Sequence, residues 1–170
     1  MSSPDEQQLL AMFDQQLAFR KKMKTLMLAT LGSDQEAEVS YAPYVEQQGY
    51  FYIYISELAA HTGNLLRHPQ LKVMLIEDES SAKQPHARER LSFKAQATEV
   101  QRETQEWQQV QAAFSERFGE IAQMLAGLAD FHLFRLSLSE GLYVKGFAKA
   151  YRIHADGIEH LRDLGHRSQS

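Results

Sequence analysis

The chain of 170 residues contains no cysteine, which removes disulfides, thiolate metal sites and thiol nucleophiles together. It also lacks an excess of positive charge. The formal net charge is -4 at pH 7 with histidine neutral, and phosphate neutralisation needs a basic face, so nucleic-acid binding is excluded as a main role. No apolar run approaches the length of a membrane span, and membrane insertion is not expected. The first residues are polar and acidic (Ser2, Ser3, Asp5, Glu6), without the basic and then apolar regions of a secretory signal. Together these absences fit a cytoplasmic protein. There is no His-Glu-x-x-His, no Walker loop and no nucleophile elbow. What remains is 44% hydrophobic and 24% charged, ordinary values for one globular domain with a real core.

Ser3-Pro4-Asp5-Glu6 is a helix-opening signature, with Leu10, Phe13 and Leu17 on one face and the basic run Arg20, Lys21, Lys22, Lys24 at the close. Lys24 to Leu31 is a short apolar run before Gly32-Ser33-Asp34 and predicts a buried strand. Val39 to Val45 is a second strand, and Pro43 within it predicts an edge or a bulge. In Tyr50 to Ile55 the tyrosines alternate with Phe51, Ile53 and Ile55, so both faces of this strand are to be covered. Ser56 to His68 changes to a helical period and stops at Pro69. Leu71 to Ile76 is a strand, and Glu77 to Ala87 a polar loop. Leu91, Phe93, Ala95 and Ala97 alternate with polar residues in another strand. Glu103 to Gln123 repeats Trp107, Val110, Phe114, Phe118 and Ile121 at helical steps, with Gly119 a bend or a join. Two strands, Phe131–Leu138 and Leu142–Ile153, flank a turn at Ser139-Glu140-Gly141, with Gly146 a kink in the second. The tail from Asp156 has the spacing of a helical turn or two through Ile158, Leu161 and Leu164, with Gly165 after it.

Six or seven strands set too close for repeated βαβ crossovers predict a mainly β (α+β) fold, an antiparallel barrel with flanking helices. The expected organisation is an N-terminal helix over 1–23, the barrel over 24–155 and a tail over 156–170. An open seam in such a barrel would be covered by a second copy, giving a homodimer.

The segment Ser56-Glu57-Leu58-Ala59-Ala60-His61-Thr62-Gly63-Asn64-Leu65, continued by His68-Pro69 and Val73, resembles the pyridoxamine-phosphate-oxidase-like, FMN-binding split barrels. Many flavin binders of that superfamily carry a lysine where this chain has His61. Further matching segments, in order, are Ser40–Tyr44, Met74–Glu79, Ala87–Phe93, Arg117–Ile121, Asp130–Leu136, Gly141–Phe147 and a terminal Gly165-His166-Arg167. They are similar to the heme-utilisation branch, the HutZ/HugZ-type proteins. The resemblance implies a homodimer that binds heme at the subunit interface and opens the ring oxidatively, so that heme is cofactor and substrate at once. O2 is then the co-substrate, and electrons come from an external donor. It maps the heme-iron ligand onto His166, the carboxylate from the neighbouring subunit onto Asp130, and a distal arginine onto Arg88 or Arg90.

The chemistry suits those residue types. A neutral imidazole binds heme iron well, and a carboxylate on its other N–H fixes its orientation and strengthens its donation. An arginine can bond an oxygen species or a propionate. Taken alone, however, His166 reads as a frayed tail residue, Asp130 as an end cap, His132 as a packing residue, and His154 and His160 as surface residues. His61 opens a helical turn, with cofactor contact and local capping both open to it. Two rivals stand beside heme cleavage. One is an FMN-dependent oxidoreductase on the same barrel, against which the histidine at position 61 counts. The other is a heme-storage or delivery dimer.

Overall fold

The structure, a computed structural model, describes residues 4–155 and 157–161. Its elements in chain order are α1 (Pro4–Lys22), β1 (Thr25–Leu31), β2 (Ala37–Gln47), β3 (Tyr50–Ser56), α2 (Ala60–Arg67), β4 (Gln70–Ile76), β5 (Arg90–Val100), α3 (Gln105–Phe118), α4 (Glu120–Ala126), β6 (Phe131–Gly146), β7 (Lys149–His154) and β8 (Gly157–His160). The strands are ordered β3-β2-β1-β4-β5-β6-β7-β8, and β3 also pairs with β6. That extra pairing closes six antiparallel strands into a barrel. The barrel therefore has no open seam, and the expectation of one is corrected: the Phe51↔Leu136 to Ser56↔Phe131 ladder satisfies the backbone groups of both would-be edges.

Two compact units are distinguished. One comprises Lys24–Val73 and Lys94–Leu138; the other takes Met74–Phe93 with the segments up to Met23 and from Ser139 onward.

The first unit holds β1, β2 and β3 whole. The β2–β3 hairpin turns on Gln48 and Gly49, both with positive φ, 52° and 81°, as a two-residue loop matching the strand twist requires. Pro43 lies in a central strand, not at an edge or bulge. It stands opposite Thr25, the first residue of β1, where the ladder begins and a missing N–H is tolerated. Strand β3 is covered on both faces, as its alternation predicts. Phe51 and Ile53 share a face with Leu136 and Phe134 of β6. Tyr52 and Tyr54 on the other face pack with Val45, Val100, Val110, Phe114, Ala122 and Leu133. Each large apolar side chain so buried contributes roughly 1.5–3 kcal/mol. The predicted long helix is two, α3 and α4, joined at Gly119, where φ is +73°. Thr104 caps α3 by accepting from the Trp107 N–H at 3.2 Å.

In the second unit, α1 buries Gln16, Phe19 and Arg20, while Leu10 is exposed. The expected Leu10–Phe13–Leu17 face is thus turned: Phe19 meets Tyr143 at 6.4 Å between ring centroids, and the Arg20 guanidinium lies 5.5 Å over Phe93. The turn expected at Ser139-Glu140-Gly141 is absent; β6 runs straight through it. Gly141 is buried, and a Cβ there would come within 2.5 Å of the Phe93 ring, so this glycine serves close packing rather than a turn. The reversal falls at Phe147-Ala148, just after a register shift between Val144 and Gly146 that bears out the kink. The helical tail is also corrected: Gly157–His160 is a strand paired to β7, from His154↔Gly157 to Tyr151↔His160. Leu164, Gly165, His166 and Arg167 lie outside the described residues.

Candidate functional site

Asp130 precedes β6, in a loop held by the Arg102 guanidinium. Arg102 donates to the carbonyls of Ala126 at 3.0 Å, Phe131 at 3.1 Å and Leu128, and to the Tyr54 hydroxyl at 3.0 Å. Burial raises the pKa of Tyr54, so its phenol is neutral where it meets Arg102. The chain after β3 locks onto the same loop. The Glu57 N–H donates to the Asp130 carbonyl at 2.9 Å, and the Ser56 hydroxyl bonds Asp130 Oδ2 at 2.7 Å. Oδ1 of Asp130 has no partner among the described residues. Leu58, whose N–H donates to the Ser56 hydroxyl oxygen at 3.1 Å, has its apolar side chain 94% exposed. A carboxylate with one oxygen fixed and the other open is suited to orienting an imidazole N–H.

His132 lies two residues further on. Its Nδ1 meets Glu99 at 2.6 Å and its Nε2 meets Glu57 at 2.7 Å. A carboxylate only accepts, so both ring nitrogens donate and the ring is an imidazolium. The bond to Glu57 leads in raising its pKa, with Glu99 adding to it. The sequence shows a strand histidine beside Phe131; its role as a cation between two acids depends on residues 33 and 75 positions away.

His61 is 8% exposed, in α2. Its Nδ1 shares a hydrogen bond with Ser40 at 2.7 Å, and burial lowers its pKa, which keeps it neutral. Next to it, the Thr62 hydroxyl donates to the Ser56 carbonyl, tying α2 to the segment that grips Asp130.

The arginines belong to the other unit. Arg88 precedes β5 and donates from Nε to the Glu77 carbonyl at 3.0 Å, with a second bond from Nη2, and pairs with Glu79 at 3.3 Å. Only Arg90 lies within the strand; Arg88 precedes it. Arg90 makes one bond, from Nη1 to the Arg88 carbonyl at 3.3 Å, and its other donors have no partner among the described residues. Between them, Glu89 accepts from the buried Tyr143 hydroxyl and from Lys145 at 2.9 Å. Burial, then the Glu89 bond, raises the pKa of Tyr143.

Sequence reasoning brought out Asp130, Arg88, Arg90 and His61 but missed Ser56, Glu89 and the Glu57–His132–Glu99 bridge. Ser56 stands in the segment Ser56–Leu65, where its place at the end of an apolar strand was the available signal. No cluster of three or more histidine, aspartate or glutamate side chains among the described residues is arranged to hold a metal ion. No helix among them is long and apolar enough to cross a membrane.

Comparison with known proteins shows the family. The family model for pyridoxamine 5'-phosphate oxidase matches residues 12–145. A curated relative, heme oxygenase HutZ of Vibrio cholerae, is 47% identical over 155 residues, covering 89% of this chain and 88% of its own. A crystal structure of HutZ from the same organism, there called a heme storage protein, superposes with a TM-score of 0.75 at 48% identity, over 79% of this chain and 94% of that one. Campylobacter jejuni ChuZ superposes at 0.84 with 32% identity, over 89% of this chain and 62% of that one. With this sequence match and the six-stranded closed barrel in agreement, the chain belongs to the HutZ-type heme-utilisation branch of the pyridoxamine 5'-phosphate oxidase-like split-barrel family.

Proposed function

We propose that this chain binds heme and opens the porphyrin ring oxidatively, with O2 as co-substrate and electrons from an external donor, releasing the iron in the cytoplasm. The observation that carries the reading is the Asp130 carboxylate: Ser56 holds one oxygen, and the other, without a partner among the described residues, is placed to accept from an imidazole N–H. The identity to a heme oxygenase over most of both chains supports it. His166, outside the described residues, is the proposed iron ligand, and Asp130 of the partner subunit fixes its ring. Bound heme supplies the redox-active iron and is itself the molecule cleaved. This chain's residues orient the imidazole, and Arg90, whose other donors have no partner among the described residues, offers them to an anionic oxygen or a propionate. Arg88 is committed to Glu77 and Glu79, so between the two arginines the reading favours Arg90.

The partner subunit is supported by an apolar outer face. Val39 and Tyr41 are 67% and 69% exposed, and they stand opposite Ala29 and Met27 on β1. A barrel surface that faced only water would be polar there. FMN binding is the weaker alternative. The position that is lysine in many flavin binders is His61, buried and bonded to Ser40.

Storage without cleavage is a second reading, because the HutZ crystal structure carries that description. The test is aerobic incubation of the hemin complex with ascorbate, catalase and a ferrous chelator. Loss of the Soret band with chelated iron and an open-chain tetrapyrrole supports cleavage. A Soret band that survives supports storage, and a yellow protein without a hemin response supports FMN.

A further inference from the structure

We infer that Ser56 is a positioning residue that sets how strongly Asp130 accepts a hydrogen bond from the iron-bound imidazole. The inference rests on the proposed reading of Asp130. Its own support is the direction of one proton. Ser56 Oγ accepts from the Leu58 N–H at 3.1 Å and lies 2.7 Å from Asp130 Oδ2. A hydroxyl has one hydrogen. With the backbone donating into Oγ, that hydrogen is aimed at the carboxylate. The Ser56 carbonyl is held in turn by the Thr62 hydroxyl and by the Ala59 N–H at 3.1 Å, so the serine is fixed from three sides.

A carboxylate that already accepts one hydrogen bond spreads less charge onto its second oxygen, which becomes a weaker acceptor. Ser56 therefore tempers the pull of Asp130 on the imidazole N–H, and with it the electron donation of the ring to iron. Removing the hydroxyl strengthens that pull. Removing the carboxylate charge weakens it. The two substitutions act on the same bond with opposite signs, which a merely structural role for Ser56 does not predict.

The experiment uses the full chain loaded with hemin and then reduced, reading the iron–imidazole stretching band by resonance Raman and the heme midpoint potential. Asp130→Asn should lower the band frequency, raise the potential and weaken heme binding by about 10–100-fold. Ser56→Ala should raise the band frequency and lower the potential. Ser56→Thr keeps the hydroxyl and should restore both to wild-type values; it also stands in if the alanine variant unfolds. If Asp130→Asn leaves the band unmoved, the reading of Asp130 itself fails. If Asp130→Asn moves it while Ser56→Ala leaves it unmoved, or moves it in the same direction, the assignment of Ser56 is overturned.

Discussion

Replacing His132 by glutamine should remove a pH-dependent part of the fold's stability. Both ring nitrogens donate to carboxylates, at 2.6 Å to Glu99 and 2.7 Å to Glu57. Hydrogen bonds to charged groups are worth about 1.5–3 kcal/mol each when well shielded. The glutamate side chains are 35% and 59% exposed, and exposed ion pairs measure about 0.2–1 kcal/mol. The pair of bonds is then worth roughly 1–2 kcal/mol, or about 3–6 °C in Tm for a domain of this size. His132 has its pKa raised in the fold. Its contribution is therefore complete below the unfolded-state value near 6.5 and is lost as pH rises through the higher folded value. The assay is urea denaturation of wild type and His132→Gln in steps from pH 5.5 to 9. The stability gap should be largest at the acidic end and shrink at the basic end. A gap that is flat across this range, or that grows with pH, would refute the imidazolium bridge.

Four further outcomes follow from the structure. Gly141→Ala should destabilise by about 1–3 kcal/mol, read by urea midpoint, because the new Cβ would sit 2.5 Å from the Phe93 ring and 3.2 Å from Ile153 Cβ. Arg90→Ala should slow ascorbate-driven heme loss by about 10–100-fold with little change in Tm. Arg88→Ala should do the reverse, since its bonds hold the loop at Glu77 and Glu79. Tyr41→Glu should convert the proposed dimer to monomer in light scattering while leaving the far-ultraviolet spectrum unchanged.

Where one face or both faces of a strand are buried, the chain's pattern shows it. Tyr50–Ile55 and the alternating Leu91–Ala97 are read directly from residue order, and Gly119 marks the join of two helices. Legibility fails where tertiary contact overrides local signals. Ser139-Glu140-Gly141 carries turn chemistry, yet Gly141 is consumed by the Phe93 ring and the strand continues. The true reversal uses Ala148 at a φ of 57°, a residue that carries no turn signature. On α1, Gln16 and Arg20 turn inward while Leu10 does not, because the Phe93 and Tyr143 rings select the face. At the site, the chemistry-bearing residue types were visible, and Asp130 was identified through a resemblance rather than through spacing. Its partner Ser56 is 74 positions away, a distance no local pattern spans. The antiparallel barrel was legible in the close spacing of the strands, but its closure was not, since the pairing of β3 with β6 joins segments far apart in the chain.

The most direct test of the account is a hemin titration followed in the Soret region with wild-type protein and His166→Ala side by side. The account predicts a sharp Soret band saturating at a fixed stoichiometry for wild type, and its loss or severe weakening in the variant while the proposed dimer persists. An unchanged band in His166→Ala, or no Soret response in wild type, would contradict it.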